Sequence, residues 1–330
     1  MKYQFCTLFD KNYLYRGLAL YRSLVENCDD FTLWVLCMDD RTYQVLKSIG
    51  LDRMRLISLS AFEDKELLSI KSSRTLKEYC WTCTSSLQLY LLKKYPHLEM
   101  ITYLDADLFF FSDPLPIFEE FGDSSILISP HNYAPQHDHY LATSGIYCVQ
   151  FMTFKNNVQG LEALTWWREK CLEWCYARVE DGRFGDQKYL DDWPTRFSGV
   201  HVLQHIGAGV ALWNIIKYKI KQIGTKIFVD DKPLIFYHFH NFSILKNKSY
   251  DFGDTAHYSN SLTQESIRLI YKPYVYEIEK SIKKVKKIDP KFNCGYRYVR
   301  KGSLIGRIVS MPKRIRNVFW LMLNNRMKGR

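Results

Sequence analysis

The stretch Met100–Pro114, MITYLDADLFFFSDP, decides the fold and holds the most informative residues of the chain. Its first residues are typical of a buried strand, and the apolar run resumes at Phe109 after two acids, Asp105 and Asp107. Burying a carboxylate in such a run costs several kcal/mol unless a cation or a hydrogen-bonding ligand meets it. We therefore expect a positively charged group at this point.

The position of the two acids predicts a ligand site. An α/β sheet binds ligands at the carboxyl ends of its strands, and Asp113-Pro114 predicts a turn soon after this one. Carboxylate oxygens suit Mn²⁺ or Mg²⁺ carried by a diphosphate. The alternative interpretation is a strand-end turn with two solvated acids.

Segments before this stretch alternate between strand and helix patterns. The sequence predicts strands at Tyr3–Phe9, Phe31–Met38 and Arg55–Leu59, and helices at Tyr13–Asn27 and Asp40–Ile49. Nearly continuous apolar strands in this order indicate an α/β fold with a mainly parallel sheet covered on both faces. The chain lacks the glycine-rich loops that hold phosphates, so a metal must do that work if a nucleotide binds.

Segments after this stretch predict further elements around polar motifs. A helix is expected within Ser72–Tyr95 and another at Gln159–Arg178; strands are expected at Ser125–Ser129, Thr143–Phe151 and Pro233–Phe242. In the last strand, His238 and His240 have the alternating spacing that puts both imidazoles on one face.

Two groups of residues permit other interpretations. Cys80 and Cys83, with Cys171 and Cys175, fit a redox or zinc site less well than buried structural thiols. A Pro-containing loop carries three histidines that fit a metal cluster, the lining of an acceptor site or plain surface: His131, His137 and His139.

The composition is that of a folded protein with an uneven charge. The chain has 330 residues, is 47% apolar and carries a net charge of +11. The last 51 residues hold 16 Lys and Arg against Asp289 alone, which leaves the remainder at −4. We expect a near-neutral body with a basic extension, divided as 1–250 and 251–330.

The basic extension predicts membrane association. Residues Ser303–Leu323 place apolar side chains along one helical stripe, which Pro312 kinks or divides. We expect this helix to lie on an anionic membrane, with packing on its own domain as the alternative. Its aromatic spacing is helical rather than that of a base-stacking platform, so we expect no nucleic-acid partner. With no apolar signal-peptide core near Met1, we expect a cytoplasmic protein on the inner face of the cell membrane.

Five motifs together carry a family resemblance: FCTLFDKNYLYRGLALYRSL, YLDADLFFFSDP, TSGIYCV, FGDQKYL and IFYHFHNF. In this order they resemble GT-A glycosyltransferases, most of all the family 8 type of galactosyltransferase and glycogenin relatives in bacterial polysaccharide synthesis. The resemblance spans Lys2 to about Phe242. It implies a nucleotide-diphosphate sugar donor, usually UDP-linked, a divalent ion, usually Mn²⁺, and a glycan or lipid-linked acceptor.

The resemblance also implies roles for individual residues. Asp105, Asp107 and His238, with His240 as the alternative, would hold the metal, and Gln187 with Asp186 would act at the sugar. The donor would contact Thr7, Asp10, Asn12, Tyr13, Arg74, Lys77, Asp105, Ala106, Asp107, Ser144, Gly145 and Lys246. The family's K-P-W is absent after the histidine, and Lys246 or Lys248 would replace its lysine.

The predicted activity is metal-dependent glycosyl transfer in surface polysaccharide assembly, with retention of configuration. Retention uses Gln187 beneath the anomeric carbon. Inversion would instead need a carboxylate base toward the acceptor, for which the candidates are Asp138, Asp191 and Asp192. A sugar nucleotidyltransferase would normally show a glycine-rich N-terminal loop, which is absent. A non-catalytic nucleotide-sugar-binding assembly protein is the remaining alternative.

Overall fold

The described strands form one large sheet and three small ones. The structure is a computed structural model that describes residues 2–253, residue 258 and residues 261–298. The strands are β1 (Tyr3–Phe9), β2 (Phe31–Cys37), β3 (Met54–Ser58), β4 (Met100–Leu104), β5 (Leu108–Phe110), β6 (Ile126–Pro130), β7 (Tyr147–Lys155), β8 (Val200–Val202), β9 (Val210–Ala211), β10 (Ile220–Ile223), β11 (Lys226–Val229), β12 (Lys232–Pro233), β13 (Phe236–His238), β14 (Ser243–Leu245), β15 (Tyr250–Asp251) and β16 (Tyr296–Arg297).

Helices connect these strands and cover the large sheet. They are α1 (Leu14–Asn27), α2 (Asp40–Ile49), α3 (Leu59–Phe62), α4 (Lys65–Lys71), α5 (Leu76–Lys94), α6 (Leu115–Phe121), α7 (Tyr140–Ser144), α8 (Val158–Glu173), α9 (Trp193–Arg196), α10 (Gln264–Ser266) and α11 (Lys272–Ile288). A π-helical segment, Ile267–Tyr271, joins α10 to α11.

The large sheet has seven strands in the order β3-β2-β1-β4-β7-β6-β8. Strands β3, β2, β1 and β4 are parallel, β7 is antiparallel to both β4 and β6, and β8 is parallel to β6. The predicted α/β fold with a mainly parallel sheet is therefore confirmed. Because β1 lies between β2 and β4, the carboxyl ends of these three strands meet at one edge.

Alternation along β1 divides the core into two layers. Phe5 and Phe9 face a layer that includes α1 and α11, whereas Cys6 and Leu8 face a layer that includes α5 and α8. This is the period-two pattern of a strand buried on both faces. The sheet is consequently covered on both sides, and its carboxyl edge is left for ligands.

A small sheet, β5-β13-β9, extends the fold beyond β4. Strand β5 follows the two acids directly and pairs antiparallel with β13, with His238 opposite Leu108. The main chain continues this pairing, since the Phe239 amide donates to the Asp107 carbonyl at 3.0 Å. The end of β13 is thereby fixed next to the Asp105–Asp107 turn.

Two predicted strands are wrong in their bounds. Thr143 and Ser144 belong to α7, and β7 begins only at Tyr147, after Gly145 turns the chain with φ +96°. The predicted strand Pro233–Phe242 ends as a strand at His238, because the chain turns at Asn241, whose φ is +62°. His240 therefore lies in a turn rather than two positions along a strand.

The first part of the predicted extension packs against the helices that cover the large sheet. In α11, Tyr274, Ile278 and Val285 are fully buried and share a cluster with α1, and the Arg41 guanidinium pairs with Asp289 at 2.7 Å. Its outer face carries the exposed Tyr276 and several lysines. The predicted membrane helix at 303–323 lies outside the described residues. Among the described helices, none combines the length and apolar composition needed to cross a membrane.

Candidate metal and donor site

The candidate site lies in the turn between β4 and β5. Asp105 donates its backbone amide to the Gln150 carbonyl of β7 at 2.9 Å, and its own carbonyl accepts from the Leu108 amide at 3.1 Å. These bonds close a tight turn that holds Ala106 buried and brings Asp105 and Asp107 to the same side. The turn therefore lets the two carboxylates converge.

His238 completes a cluster of three possible metal ligands. Its Nε2 lies 3.2 Å from Asp107 Oδ1 and 3.7 Å from Asp105 Oδ2. One ligand atom from each residue lies within 4.8 Å of the others, and no other such cluster of His, Cys, Asp or Glu occurs among the described residues. Asp107 and His238 are buried, while Asp105 is partly open to solvent.

The three groups shift one another's pKa. Burial, and then Asp107, raise the pKa of Asp105 to about 6, although His238 opposes this. Burial also works against the charge on Asp107, but His238 outweighs it and holds the pKa of Asp107 at about 2. Burial disfavours a charged His238, yet the two carboxylates raise its pKa well above the usual value. The two carboxylates therefore favour a positive charge beside them, which a protonated His238 or a bound cation can supply.

The three candidate ligand atoms fit a divalent cation. Two carboxylate oxygens and one imidazole nitrogen suit Mn²⁺, and the oxygens also suit Mg²⁺. The site is open on the Asp105 side, where a ligand could supply the remaining oxygens. Asp105, Asp107 and His238 would hold such an ion together.

Gln150 and Trp213 support the His238 ring from other elements. His238 Nδ1 lies 2.9 Å from Gln150 Oε1 in a buried contact, and the Trp213 ring meets the imidazole edge to face at 5.2 Å. Trp213 is itself fixed by the His131 carbonyl, which accepts from its Nε1 at 2.7 Å. Our sequence reasoning missed both residues; the signal for Gln150 was a lone amide inside the apolar segment YCVQF.

Asp186 and Gln187 lie close to the metal cluster. Burial, and then the charge of Asp105, raise the pKa of Asp186 to about 8, while Lys77 lowers it. The Gln187 amide nitrogen donates to the Ser144 carbonyl at 2.5 Å. Within the described part of the chain, the Gln187 amide oxygen has no hydrogen-bond partner. The 3-10 turn Lys188–Leu190 that follows has Gln187 as its cap residue, with no side-chain capping hydrogen bond.

Gly145 lets the end of α7 approach the Gln187 segment closely. Its φ is +96°, and a Cβ at this position would lie 2.8 Å from Asp191 Oδ1 and 3.3 Å from the Lys188 side chain. Asp191 also accepts from the Ile146 amide at 2.7 Å. At Gly145 the backbone thus approaches the chain's own residues closely, next to the hydrogen bond between the Ser144 carbonyl and Gln187.

The predicted nucleotide-base turn forms at the end of β1. The Asp10 carboxylate accepts from the Asn12 amide at 3.0 Å and from Asn12 Nδ2 at 2.6 Å. Tyr13 follows, with 43% of its surface exposed. Thr7 is fully buried and its hydroxyl has no hydrogen-bond partner within the described part of the chain. These four residues share the sheet edge with the metal cluster.

Arg16 links this turn to the metal cluster and was also missed. Its guanidinium stacks over the Tyr13 ring at 4.3 Å and donates to the Asn12 carbonyl at 3.1 Å and the Phe242 carbonyl at 2.7 Å. Its charge also helps to lower the pKa of Asp107. The sequence hid it within an otherwise apolar helix face, between Leu14 and Leu18.

Other predicted ligands have different positions. The Arg74 guanidinium lies 3.8 Å from the centre of the Tyr176 ring. Lys246 lies over the ring of Tyr298, next to the small sheet β15-β14-β16. Their roles toward a donor remain predictions. His240, the alternative metal ligand, has its ring centre 5.7 Å from that of His238 and is not part of the three-ligand cluster.

The remaining alternatives find little support in the geometry. The nine cysteines are free thiols and, like the loop histidines His131, His137 and His139, do not form a metal cluster in the described ranges. Burial lowers the pKa of His131 to about 3, which makes it a neutral core residue. Of the three candidate bases for inversion, Asp191 pairs with Lys188 at 2.7 Å and Asp192 pairs with Arg196, whereas Asp138 is exposed.

Comparison with known proteins identifies similar sequences. A family model described as nucleotide-diphospho-sugar transferase matches residues 32–229. The uncharacterized protein YfnD of Bacillus subtilis (strain 168) is 34% identical over 296 residues, covering 89% of this chain and 94% of that protein. The uncharacterized protein YfnF of the same strain is 33% identical over 297 residues, covering 88% of this chain and 96% of that protein.

Solved structures also match at low sequence identity. An active-site mutant of LgtC covers 81% of this chain and 99% of that one, with 11% identity and a TM-score of 0.47. Mouse xyloside xylosyltransferase 1 covers 76% of this chain and 99% of that one, with 14% identity and a TM-score of 0.44.

The geometry predicts that Asp107 is needed to bind a divalent ion. Asp107→Ala removes one of three clustered ligands, and we expect the affinity for Mn²⁺, measured by electron paramagnetic resonance of free Mn²⁺, to fall at least tenfold. Asp123→Ala, which removes an exposed acid beyond α6, is the matched control and should bind as the unmodified protein does. Equal Mn²⁺ affinity in the two variants would contradict the assignment.

Proposed function

This chain belongs to the nucleotide-diphospho-sugar transferase family, and from that premise we propose that it transfers a sugar from a UDP-linked donor to a glycan or glycolipid acceptor in a Mn²⁺- or Mg²⁺-dependent reaction. The family match confirms the resemblance drawn from the five motifs, and the chain is a glycosyltransferase. The uridine nucleotide, the metal, the acceptor and the retaining course are the proposed parts.

One observation supports the metal-dependent reaction above all others. Asp105, Asp107 and His238 converge within 4.8 Å at the carboxyl edge of the sheet, beside the turn that Asp10 and Tyr13 form. A donor lying along this edge would place its base near Tyr13 and its diphosphate near the three ligands. A divalent ion held there would offset the negative charge that develops on the departing diphosphate.

The chain's own residues have separable roles in this reaction. Tyr13 offers an exposed ring for base stacking, which Arg16 keeps in place from its other face. Lys77 places a cation near Asp186 and partly opposes the rise in the pKa of that carboxyl. Gln187 directs a neutral amide oxygen toward the donor sugar, where it could stabilise positive charge at the anomeric carbon without a lasting bond.

Retention of configuration is supported by what the acidic residues do. Inversion needs a carboxylate free to take a proton from the acceptor hydroxyl. Two of the three candidates, Asp191 and Asp192, are held in ion pairs with Lys188 and Arg196, while Asp138 is exposed and stays the candidate base of the inverting alternative. The Ser144 carbonyl holds the Gln187 amide nitrogen, and no described residue hydrogen-bonds its amide oxygen. We therefore favour a retaining reaction with Gln187 as the group beneath the anomeric carbon.

The proposed setting is surface polysaccharide assembly at the inner face of the cell membrane. Support comes from the basic composition of residues 280–330 and from the outer face of α11, where Lys283, Lys284 and Lys287 are exposed. Each Lys or Arg close to anionic lipid contributes about 1 kcal/mol to binding. A lipid-linked acceptor would lie on the same surface.

We predict metal-dependent turnover of a nucleotide sugar. In a panel of UDP- and other nucleotide-linked sugars, at least one UDP-sugar should be hydrolysed slowly with Mn²⁺, detected by release of the nucleoside diphosphate, and EDTA should stop the release. Asp107→Ala should be inactive on the same donor. Binding of UDP-sugars without any release, with or without acceptor extracts, would favour a non-catalytic binding protein.

Gln187→Ala is expected to lower kcat at least tenfold with little change in donor KM, because its interaction is made mainly in the transition state. Gln159→Ala, an amide that bonds Ser125 and Ser198 on the surface, is the matched control. Nuclear magnetic resonance of the product gives the anomeric configuration. An inverted product, or an unchanged kcat in Gln187→Ala, would contradict this role.

The basic extension should bind anionic vesicles and not neutral ones, and high salt should release it. A chain ending at Tyr298 keeps α11 and the buried Phe292 and loses only the residues beyond, so it should fold, hydrolyse donor and sediment much less with anionic vesicles. An earlier end near Lys280 would remove Val285 from the core and is unsuitable. Unchanged vesicle binding would refute residues 299–330 as the anchor.

A further inference from the structure

Strand β7 supports the metal cluster from behind through one buried side chain. Gln150 is fully buried, and its Oε1 lies 2.9 Å from Nδ1 of His238. Its backbone carbonyl accepts from the Asp105 amide at 2.9 Å. One residue outside the cluster therefore contacts two of its three members, one through its side chain and the other through its main chain.

The hydrogen bond decides which nitrogen of His238 carries the proton. An amide oxygen can only accept, so Nδ1 must be the protonated nitrogen when it faces Gln150 Oε1. In the neutral ring that would bind a cation, the lone pair is therefore on Nε2, the atom that faces Asp107 at 3.2 Å and Asp105 at 3.7 Å. A cation between the carboxylates needs this lone pair as its third ligand.

Cys148 and Gly209 lie next to the Gln150 side chain and the His238 ring. Cys148, two residues earlier on the same face of β7, also contacts the His238 ring. On the far side, Gly209 leaves room for the amide nitrogen, because a Cβ there would lie 2.9 Å from Gln150 Nε2. That nitrogen has no hydrogen-bond partner among the described residues, so the hydrogen bond to His238 is what the buried side chain provides.

We propose that Gln150 is a positioning residue of the metal centre. Its side chain accepts a hydrogen bond from Nδ1–H of His238 and so presents Nε2 to the divalent ion, while its backbone carbonyl holds the Asp105 amide. This rests on the proposed metal-dependent function and adds a residue that does not itself touch the ion. Its loss should weaken the metal site without removing a ligand, in the range of ten- to a hundredfold typical of such partners.

The test compares two substitutions that differ in the ability to accept a hydrogen bond. Gln150→Met keeps the length of the side chain and the backbone carbonyl but removes the acceptor, and it should weaken Mn²⁺ binding about tenfold or more. Gln150→Glu keeps an acceptor for Nδ1 and should bind Mn²⁺ within about threefold of the unmodified protein. Thr153 lies on the same strand as Gln150, and its hydroxyl makes a buried 2.8 Å hydrogen bond to Thr102 of β4. Thr153→Val removes this bond, controls for a general loss of stability and should leave Mn²⁺ affinity unchanged.

Binding is measured by electron paramagnetic resonance on the full chain, so the result does not depend on turnover. Equal Mn²⁺ affinity in Gln150→Met and the unmodified protein would overturn the proposal, as would an equal loss in Gln150→Met and Gln150→Glu. If Gln150→Met does not fold, Gln150→Glu decides alone, and a tenfold loss there overturns the proposal. Absence of Mn²⁺ binding in the unmodified protein would instead refute the proposed metal-dependent function.

Discussion

Two carboxylates at the end of a buried strand impose the constraint on which this structure depends. Asp107 is buried, and Asp105 is partly exposed. The two carboxylates lie close enough for each negative charge to disfavour the other. Antiparallel pairing of β5 with β13 brings His238 to 3.2 Å from Asp107 and supplies a group that binds either a proton or, through Nε2, a metal ion. The small sheet is thus the element that turns a strand-end motif into a site.

The rest of the carboxyl edge is arranged around this cluster through direct contacts. Arg16 ties the Asn12–Tyr13 turn to the Phe242 carbonyl that follows β13, while Ser144 holds the Gln187 amide. Arg16 therefore joins the turn at the end of β1 to the chain that follows β13, and a separate hydrogen bond joins α7 to the Gln187 segment.

Sequence reasoning found the parts of the site that leave a local pattern. Asp105 and Asp107 interrupt an apolar strand, and β1 and α2 have the bounds that hydrophobic periodicity predicts. It failed where tertiary contacts decide. The end of β13 at His238 is set by its three-residue pairing with β5, which periodicity does not show, and Asn241 is the one local hint of the turn that follows. Gln150 and Arg16 act on residues far away in the chain, so their partners cannot be inferred from spacing.

The central claim is that Asp105, Asp107 and His238 together bind a divalent ion that meets the donor diphosphate. Crystals soaked with Mn²⁺ and UDP test it most directly, through anomalous scattering at the manganese absorption edge. The account predicts one strong peak in ligand contact with both carboxylates, with His238 Nε2 and with diphosphate oxygens. A peak elsewhere, or UDP bound at this edge with no manganese between it and the two aspartates, would contradict the account.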